Sequence, residues 1–343
     1  LRSLEEELAW AHARELDAPT PVPVHPADAR AQQATPRTDG WHARYLRRKG
    51  PAPGATTPQP TPTPPHSAPT LGLYDHLRDP DLLWASFQRV DQNQGGPGGD
   101  GVTLEQFWAQ VAQEFKAIGS ELASHSYAPG APAIRVVSKP GGGKRRLCVP
   151  CVRDRVVLGA AAMVLQDVYE PRFAACSYAY RPGRSVQQAL QDLRRLLKSG
   201  LRWVVDADIS ACFDSISHEV LLGQLRRDIE DADLLDFLAV VLPPFATPQH
   251  PDQGIAQGSP LSPVLCNIYL NVFDHSAIAR DIPLVRYADD FVLLAPDYAT
   301  AHNHRGWAEH YLAERLRLQL NAEKTRVRSC DDGLEFLGQI VRA

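Results

Sequence analysis

An apolar strand that ends in carboxylates tightly constrains a fold, and Trp203-Val-Val-Asp-Ala-Asp-Ile209 is such a strand. Side chains alternate along an extended chain, so Asp206 and Asp208 share one face. Taking carboxylates out of water is expensive unless a cation or hydrogen bonds compensate, so this strand needs a partner. The second acidic element, Leu284-Val-Arg-Tyr-Ala-Asp-Asp-Phe-Val-Leu-Leu294, adds charge of the same sign. Two short apolar runs flank Ala288-Asp289-Asp290, which predicts a β-hairpin with both aspartates at its tip. Adjacent carboxylates repel, and turn chemistry does not ask for them there. Oxygen ligands with no histidine nearby point to magnesium, with manganese as the alternative, rather than zinc. Three carboxylates on two strands suit a pair of ions, the arrangement that activates one oxygen and stabilises a leaving one in phosphoryl transfer. Taken singly, an Asp-Asp turn is usually solvated and a strand-terminal Asp often caps a helix. The argument for a site rests on their occurring together.

Between the acidic elements runs Gly254-Ile-Ala-Gln-Gly-Ser-Pro-Leu-Ser-Pro263. Ser262 followed by Pro263 predicts a helix start, cap then first helical position. The small residues Gln257-Gly258-Ser259 would let a nucleotide or template base approach the main chain. Upstream, Ile134–Ser138 and Arg146–Val149 flank a glycine-rich tip and read as a hairpin. Lys139, Lys144, Arg145, Arg146, Arg153 and Arg155 make a local basic track, in a chain whose formal net charge is only −4. Helices are expected over Leu82–Val90, over Leu104–Ile118 with Thr103 as cap, over Asp154–Glu170, over Ser185–Lys198, and from near Ser217. The loop Asn93–Gly101 is rich in glycine but lacks the Gly-Lys-Ser/Thr ending of a nucleotide P-loop.

The prolines crowd between Pro19 and Pro69, which predicts an extended linker after a short amphipathic helix over 1–16. Such a linker, and a first residue that is not methionine, lead us to expect a piece of a larger fusion. The island Trp41–Lys49 is basic. The six cysteines show no paired-ligand spacing beyond Cys148 and Cys151, so reduced thiols in a cytoplasmic protein are expected. No apolar run is long enough to span a membrane, and no secretory signal is visible.

In order, Asp208-Ile-x-x-x-Phe-Asp214, Gln257-Gly-Ser-Pro-x-Ser-Pro263, Tyr287-Ala-Asp-Asp290 and Phe336-Leu-Gly338 resemble the successive palm motifs of reverse transcriptases. Asn93–Thr103, Lys139–Arg155 and Phe173–Ser185 resemble the fingers of the group II intron-like branch. The resemblance implies an α+β right-hand polymerase with an antiparallel palm sheet: fingers over 71–200, palm over 201–343, and no thumb. It implies an RNA template, a DNA or RNA primer, deoxynucleoside triphosphates and two Mg2+ ions. Asp208, Asp289 and Asp290, with Ile209, would form the metal set. Lys139 and Arg145 would hold the triphosphate, and Phe213 would lie beneath the sugar and exclude a 2′-hydroxyl. Gln257, Gly258 and Tyr287 would adjoin nucleotide and template, and Lys324 would act as general acid near the leaving pyrophosphate.

Intron-encoded members usually read Pro-Gln-Gly-Gly, whereas this chain has Ala256 before Gln257 and Ser259 after Gly258. That departure, with Ser177-Tyr-Ala-Tyr-Arg-Pro182, is similar to the CRISPR-associated branch, whose members partner an integrase. Intron, retron-type and phage-defence polymerases, or a catalytically silent palm that only binds nucleic acid, are the alternatives.

Overall fold

The computed structural model describes residues 72–138, 144–246 and 251–342, with only the main chain described at Lys144, Arg145, Phe245 and Asp332. The helix expected over 1–16, the proline-rich stretch, the basic island and Lys139 lie outside the described residues.

Helix α1 (Pro80–Gln92) starts on Asp79, whose carboxylate accepts the Asp81 amide, with Pro80 in the first turn. Helix α2 (Leu104–Ala109) opens with a reciprocal capping box between Thr103 and Gln106. At Gln110 the backbone leaves helical geometry (φ −122°) before α3 (Val111–Ala123), so the single helix expected over Leu104–Ile118 is two. Strands β1 (Ala133–Ser138) and β2 (Lys144–Val149) form the expected antiparallel hairpin. Helix α4 (Val152–Tyr169) is buried on nearly every side, which explains its lack of a polar face. Helix α5 (Val186–Lys198) carries a second capping box, Ser185 with Gln188, and buries Val186, Leu190, Leu193 and Leu197 as its periodicity predicts.

Strand β3 (Trp203–Asp208), the single-turn α6 (Cys212–Ser215), α7 (His218–Asp228) and α8 (Ala232–Val241) follow. Helix α9 (Ser262–Ile278) leads to β4 (Leu284–Tyr287) and β5 (Asp290–Ala295), then α10 (Tyr298–Leu316), β6 (Arg326–Ser329), β7 (Leu334–Phe336) and β8 (Gln339–Val341). The main sheet is antiparallel in the order β4-β5-β3-β6, so both acid-bearing strands are interior. Phe291, Val292, Leu293, Leu294 and Ala295 of β5 are all fully buried, since helices cover the sheet there. Helix α10 packs on β3, β5 and β6, and α9 packs on α10, α4 and β4. Phe273 ties these layers together, stacking on Trp307 at 5.1 Å and meeting Phe291 edge-on at 5.2 Å. Each such ring pair adds about 1 kcal/mol beyond the area it buries.

The α+β class and the antiparallel sheet bearing the acids are as the sequence implied. Leu337 and Gly338, both with positive φ (51° and 71°), make the tight turn between β7 and β8. All six cysteines are free, consistent with the expected reduced thiols. Among the described residues, no helix is long and apolar enough to cross a membrane.

Candidate active site

Register decides the geometry of the acids. Strand β3 pairs with β5 so that Asp208 lies directly opposite Asp290, while Asp206 faces Val292. Like charges directly opposite one another destabilise a sheet, so stability alone would not select this pairing. Asp289 occupies the two-residue turn between Tyr287 and Asp290, which pair across the hairpin. Its neighbour Ala288 has φ +59°. A left-handed alanine costs about 1–2 kcal/mol, so the tip is a strained turn that its surroundings must hold. Solvent reaches Asp290. Burial by the protein beneath it, then the charges of Asp289 and Asp208, nevertheless push its carboxyl up to about 7.

Asp206 and Asp208 share a face but not a task. Asp206 is raised chiefly by burial, and it has a counter-charge in Arg328 at 3.1 Å. Asp208 accepts from Lys324 Nζ at 2.9 Å and from Asn321 Nδ2 at 3.3 Å. The Lys324 side chain is 65% exposed, so it sits at the mouth of the cluster. Its hydrogen bond to Asp208 raises its pKa. The segment that brings it there is stitched to β3 by Asn321 N–H to the Asp208 carbonyl and Ser210 N–H to the Gln319 carbonyl, both 2.8 Å. Because these two groups point toward Gln319–Asn321, main-chain alternation aims the Ile209 carbonyl away from that segment.

Among the described residues, no three His, Cys, Asp or Glu side chains are gathered closely enough to hold a metal ion. The register nevertheless sets Asp208 opposite Asp290 and next to the Asp289 turn, so the side-chain chemistry there is oxygen-only, with Asp208 drawn toward Lys324. Excess negative charge on hard donors fits a divalent ion such as magnesium or manganese, and not a soft one.

The side facing the basic hairpin is built around α6. Ala211 (φ 45°) turns the chain out of β3 and into α6, where Phe213 is half-buried. The Phe213 carbonyl accepts from Ile255 N at 2.8 Å, and Gln257 Nε2 lies 3.2 Å from each oxygen of Asp214. The Gln257 carbonyl accepts from Cys148 N at 2.9 Å, so this loop is fastened to β2, the strand that carries Arg145. Gly258 has φ +118°, and a Cβ there would stand 3.1 Å from the Cys148 carbonyl. The glycine is therefore required by the loop's own path against β2, beyond any access it offers a ligand.

Two expectations need correction. Ser262 does not cap α9: the helix begins one residue earlier than capping would require, and the Ser262 hydroxyl donates to the Ala256 carbonyl at 2.7 Å. The basic track shrinks, because Arg153 pairs with Glu121 at 2.7 Å and Glu114 at 3.4 Å, while the nearly buried Arg155 donates to the Gly96 carbonyl at 2.7 Å. Both arginines hold α4 to its neighbours. The sequence reading also passed over Asp214, Asn321 and Arg286. Asp214 and Arg286 lie inside the motifs quoted above, so motif membership was the signal available for them.

Residues 137–341 match the family profile described as reverse transcriptase (RNA-dependent DNA polymerase). Protein YkfC of Escherichia coli (strain K12) is 32% identical over 289 residues, 71% of this chain and 74% of that protein. The group II intron-encoded protein LtrA of Lactococcus lactis subsp. cremoris is 28% identical over 74% of this chain, which spans 42% of LtrA. A chain of a partial Cas6-RT-Cas1–Cas2 complex superposes with a TM-score of 0.43 and 23% identity, over 71% of this chain and 43% of that one. The profile runs from β1 to β8 and takes in all the acids, the Gln257 loop and Lys324, and by that match the chain belongs to the reverse transcriptase family.

Proposed function

We propose that this chain extends a primer with deoxynucleotides on an RNA template, with 72–200 acting as fingers and 201–342 as palm. The observation that carries this reading is the β3–β5 register, which puts Asp208 opposite Asp290 beside Asp289. Sheet stability disfavours that arrangement, and nucleotidyl transfer requires it.

Asp208, Asp289, Asp290 and the Ile209 carbonyl would hold two divalent ions, most simply magnesium. When bound, the ions would supply Lewis acidity to the primer 3′-hydroxyl and charge neutralisation to the departing pyrophosphate. The chain's own groups do the rest. Lys324 reaches the Asp208 carboxylate with a flexible, protonated side chain, which suits it to release that carboxylate and give its proton to the leaving phosphate. Asp214 holds the Gln257 amide in one orientation, beside the position we assign to the incoming base. Phe213 is assigned to the platform beneath the sugar, and Tyr287, across the hairpin from Asp290, to the side of the nucleotide. Lys139 and Arg145 are assigned to the triphosphate, a task that suits a forked guanidinium and a mobile ammonium. Most of the rate would come from positioning and charge stabilisation.

Ala256 and Ser177–Pro182 resemble the CRISPR-associated branch, and on that resemblance we assign the natural template to RNA captured for an integrase partner. The test of the polymerase is extension of a DNA primer on an RNA template with Mg2+, beside the Asp289→Ala/Asp290→Ala variant. Extension by the parent alone supports the reading. Equal extension by both would remove it.

A further inference from the structure

Directly behind the acidic turn lies an arginine to which the polymerase chemistry gives no task. Arg286 is 0% exposed and is the largest fully buried side chain among the described residues. Its guanidinium donates to Asp274 twice, Nε to Oδ1 at 2.8 Å and Nη2 to Oδ2 at 2.5 Å. Nη2 also donates to Ser177 Oγ at 2.8 Å, and Nη1 donates to Asn267 Oδ1 at 3.1 Å. The remaining bond, from Nη1 at 2.9 Å, goes to the carbonyl of Ala288. Five donors thus meet five acceptors.

An ion pair of this kind is weak evidence of a stabilising role, because well-packed apolar residues of similar volume often do as well. The bond to Ala288 is different. It lands on the one residue of the hairpin tip with positive φ, immediately before Asp289. A strained backbone persists only where its surroundings over-determine it. The main chain of Arg286 is fixed as well: its N–H donates to the Cys176 carbonyl at 2.8 Å and its carbonyl accepts from Tyr178 N at 3.0 Å. One residue therefore links the upstream Cys176–Tyr178 segment, helix α9 through Asn267 and Asp274, and the turn that carries Asp289.

We propose that Arg286 is a positioning residue: by holding the Ala288 carbonyl it aims the Asp289 carboxylate and sets the affinity for divalent ions. The inference rests on the polymerase reading. A lysine could keep the charge opposite Asp274 but could not span Asp274, Asn267, Ser177 and Ala288 together.

Two variants of the full chain test it. Arg286→Lys keeps the buried charge. Arg286→Met combined with Asp274→Leu removes the pair as a unit, so that no charge is stranded. Mn2+ binding is measured directly by the electron-spin-resonance signal of free Mn2+, on protein that melts cooperatively, and primer extension is titrated with Mg2+. We expect about tenfold weaker Mn2+ binding, equivalent to the loss of one hydrogen bond to the turn. The Mg2+ midpoint for extension should rise in parallel while the KM for deoxynucleotide holds. Either variant, folded and with parental Mn2+ affinity, would overturn the inference and leave Arg286 as a core ion pair. If one variant fails to fold, the other decides. A parent that neither binds Mn2+ nor extends a primer would overturn the polymerase reading itself, and that result is seen before any variant is examined.

Discussion

Two charged regions lie back to back in this molecule and are built on opposite plans. In the Arg286–Asp274 centre every charge is matched within the chain, both side chains are 0% exposed, and all the guanidinium donors are satisfied. At the Asp208–Asp289–Asp290 cluster the charges are of one sign and open to solvent, and one movable lysine contacts them. The first plan holds a shape. The second concentrates like charge at a solvent-facing edge, which is what a site for cations and phosphates needs. Asp206 marks the border between them: it lies on the same face of the same strand as Asp208, yet Arg328 has already neutralised it.

The contrast makes predictions of graded size. The largest concerns chemistry: Asp289→Ala/Asp290→Ala should lower extension by at least about 10³-fold, roughly 4 kcal/mol of transition-state stabilisation, with an unchanged circular dichroism spectrum. A drop of less than tenfold would break the comparison at its open end. At the closed end, Asp274→Ala strands the Arg286 charge and should cost about 3–5 kcal/mol in urea unfolding. A loss under 1 kcal/mol would show that Arg286 finds another counter-charge.

Asp214→Asn sits between the two plans. It weakens the charge-assisted bond that orients Gln257, so deoxynucleotide KM should rise about five- to tenfold, the value of one such bond, with little change in melting temperature.

The smallest effect tests the like charge itself. Asp290→Asn should stabilise the metal-free protein at pH 8, by only about 1 kcal/mol because solvent screens this open position. The sign follows from the raised pKa. The folded protein keeps a proton on Asp290 up to about 7, while the unfolded chain loses it near the ordinary 3.8. The metal-free parent therefore loses stability as pH rises from about 4 to about 7, and the advantage of the variant should grow over that range and vanish below it. A variant that melts below the parent at pH 8 would mean that Asp290 is not under repulsion. Adding Mg2+ should reverse the order, since only the parent keeps the full ligand set.

What was legible in the sequence was local. Alternation in Trp203–Ile209 places Asp206 and Asp208 on one face, and the apolar runs around Ala288-Asp289-Asp290 predict a hairpin with both aspartates at its tip, where the structure keeps Asp289 in the turn and makes Asp290 the first residue of β5. Thr103 with Gln106 and Ser185 with Gln188 announce two helix starts through contacts three residues apart. These features depend on a few neighbouring dihedral angles, so a short stretch of chain determines them. The same local reasoning misplaced the start of α9, because the Ser262 hydroxyl is drawn to Ala256 six residues away.

The tertiary structure decided everything that joins distant parts of the chain. Position along β3 does not separate Asp206, paired with Arg328, from Asp208, paired with Lys324 across 116 residues. Nothing in a basic run reveals that Arg153 and Arg155 are spent on helix packing. Asp214 beneath Gln257, and Arg286 among Asp274, Asn267, Ser177 and Ala288, exist as sites only once helix and hairpin have docked. By itself the sequence determined the family, the acids and the local elements that bear them. The fold chose each acid's partner, because a buried charge is matched by whatever packing brings within about 3 Å, and packing belongs to the whole chain.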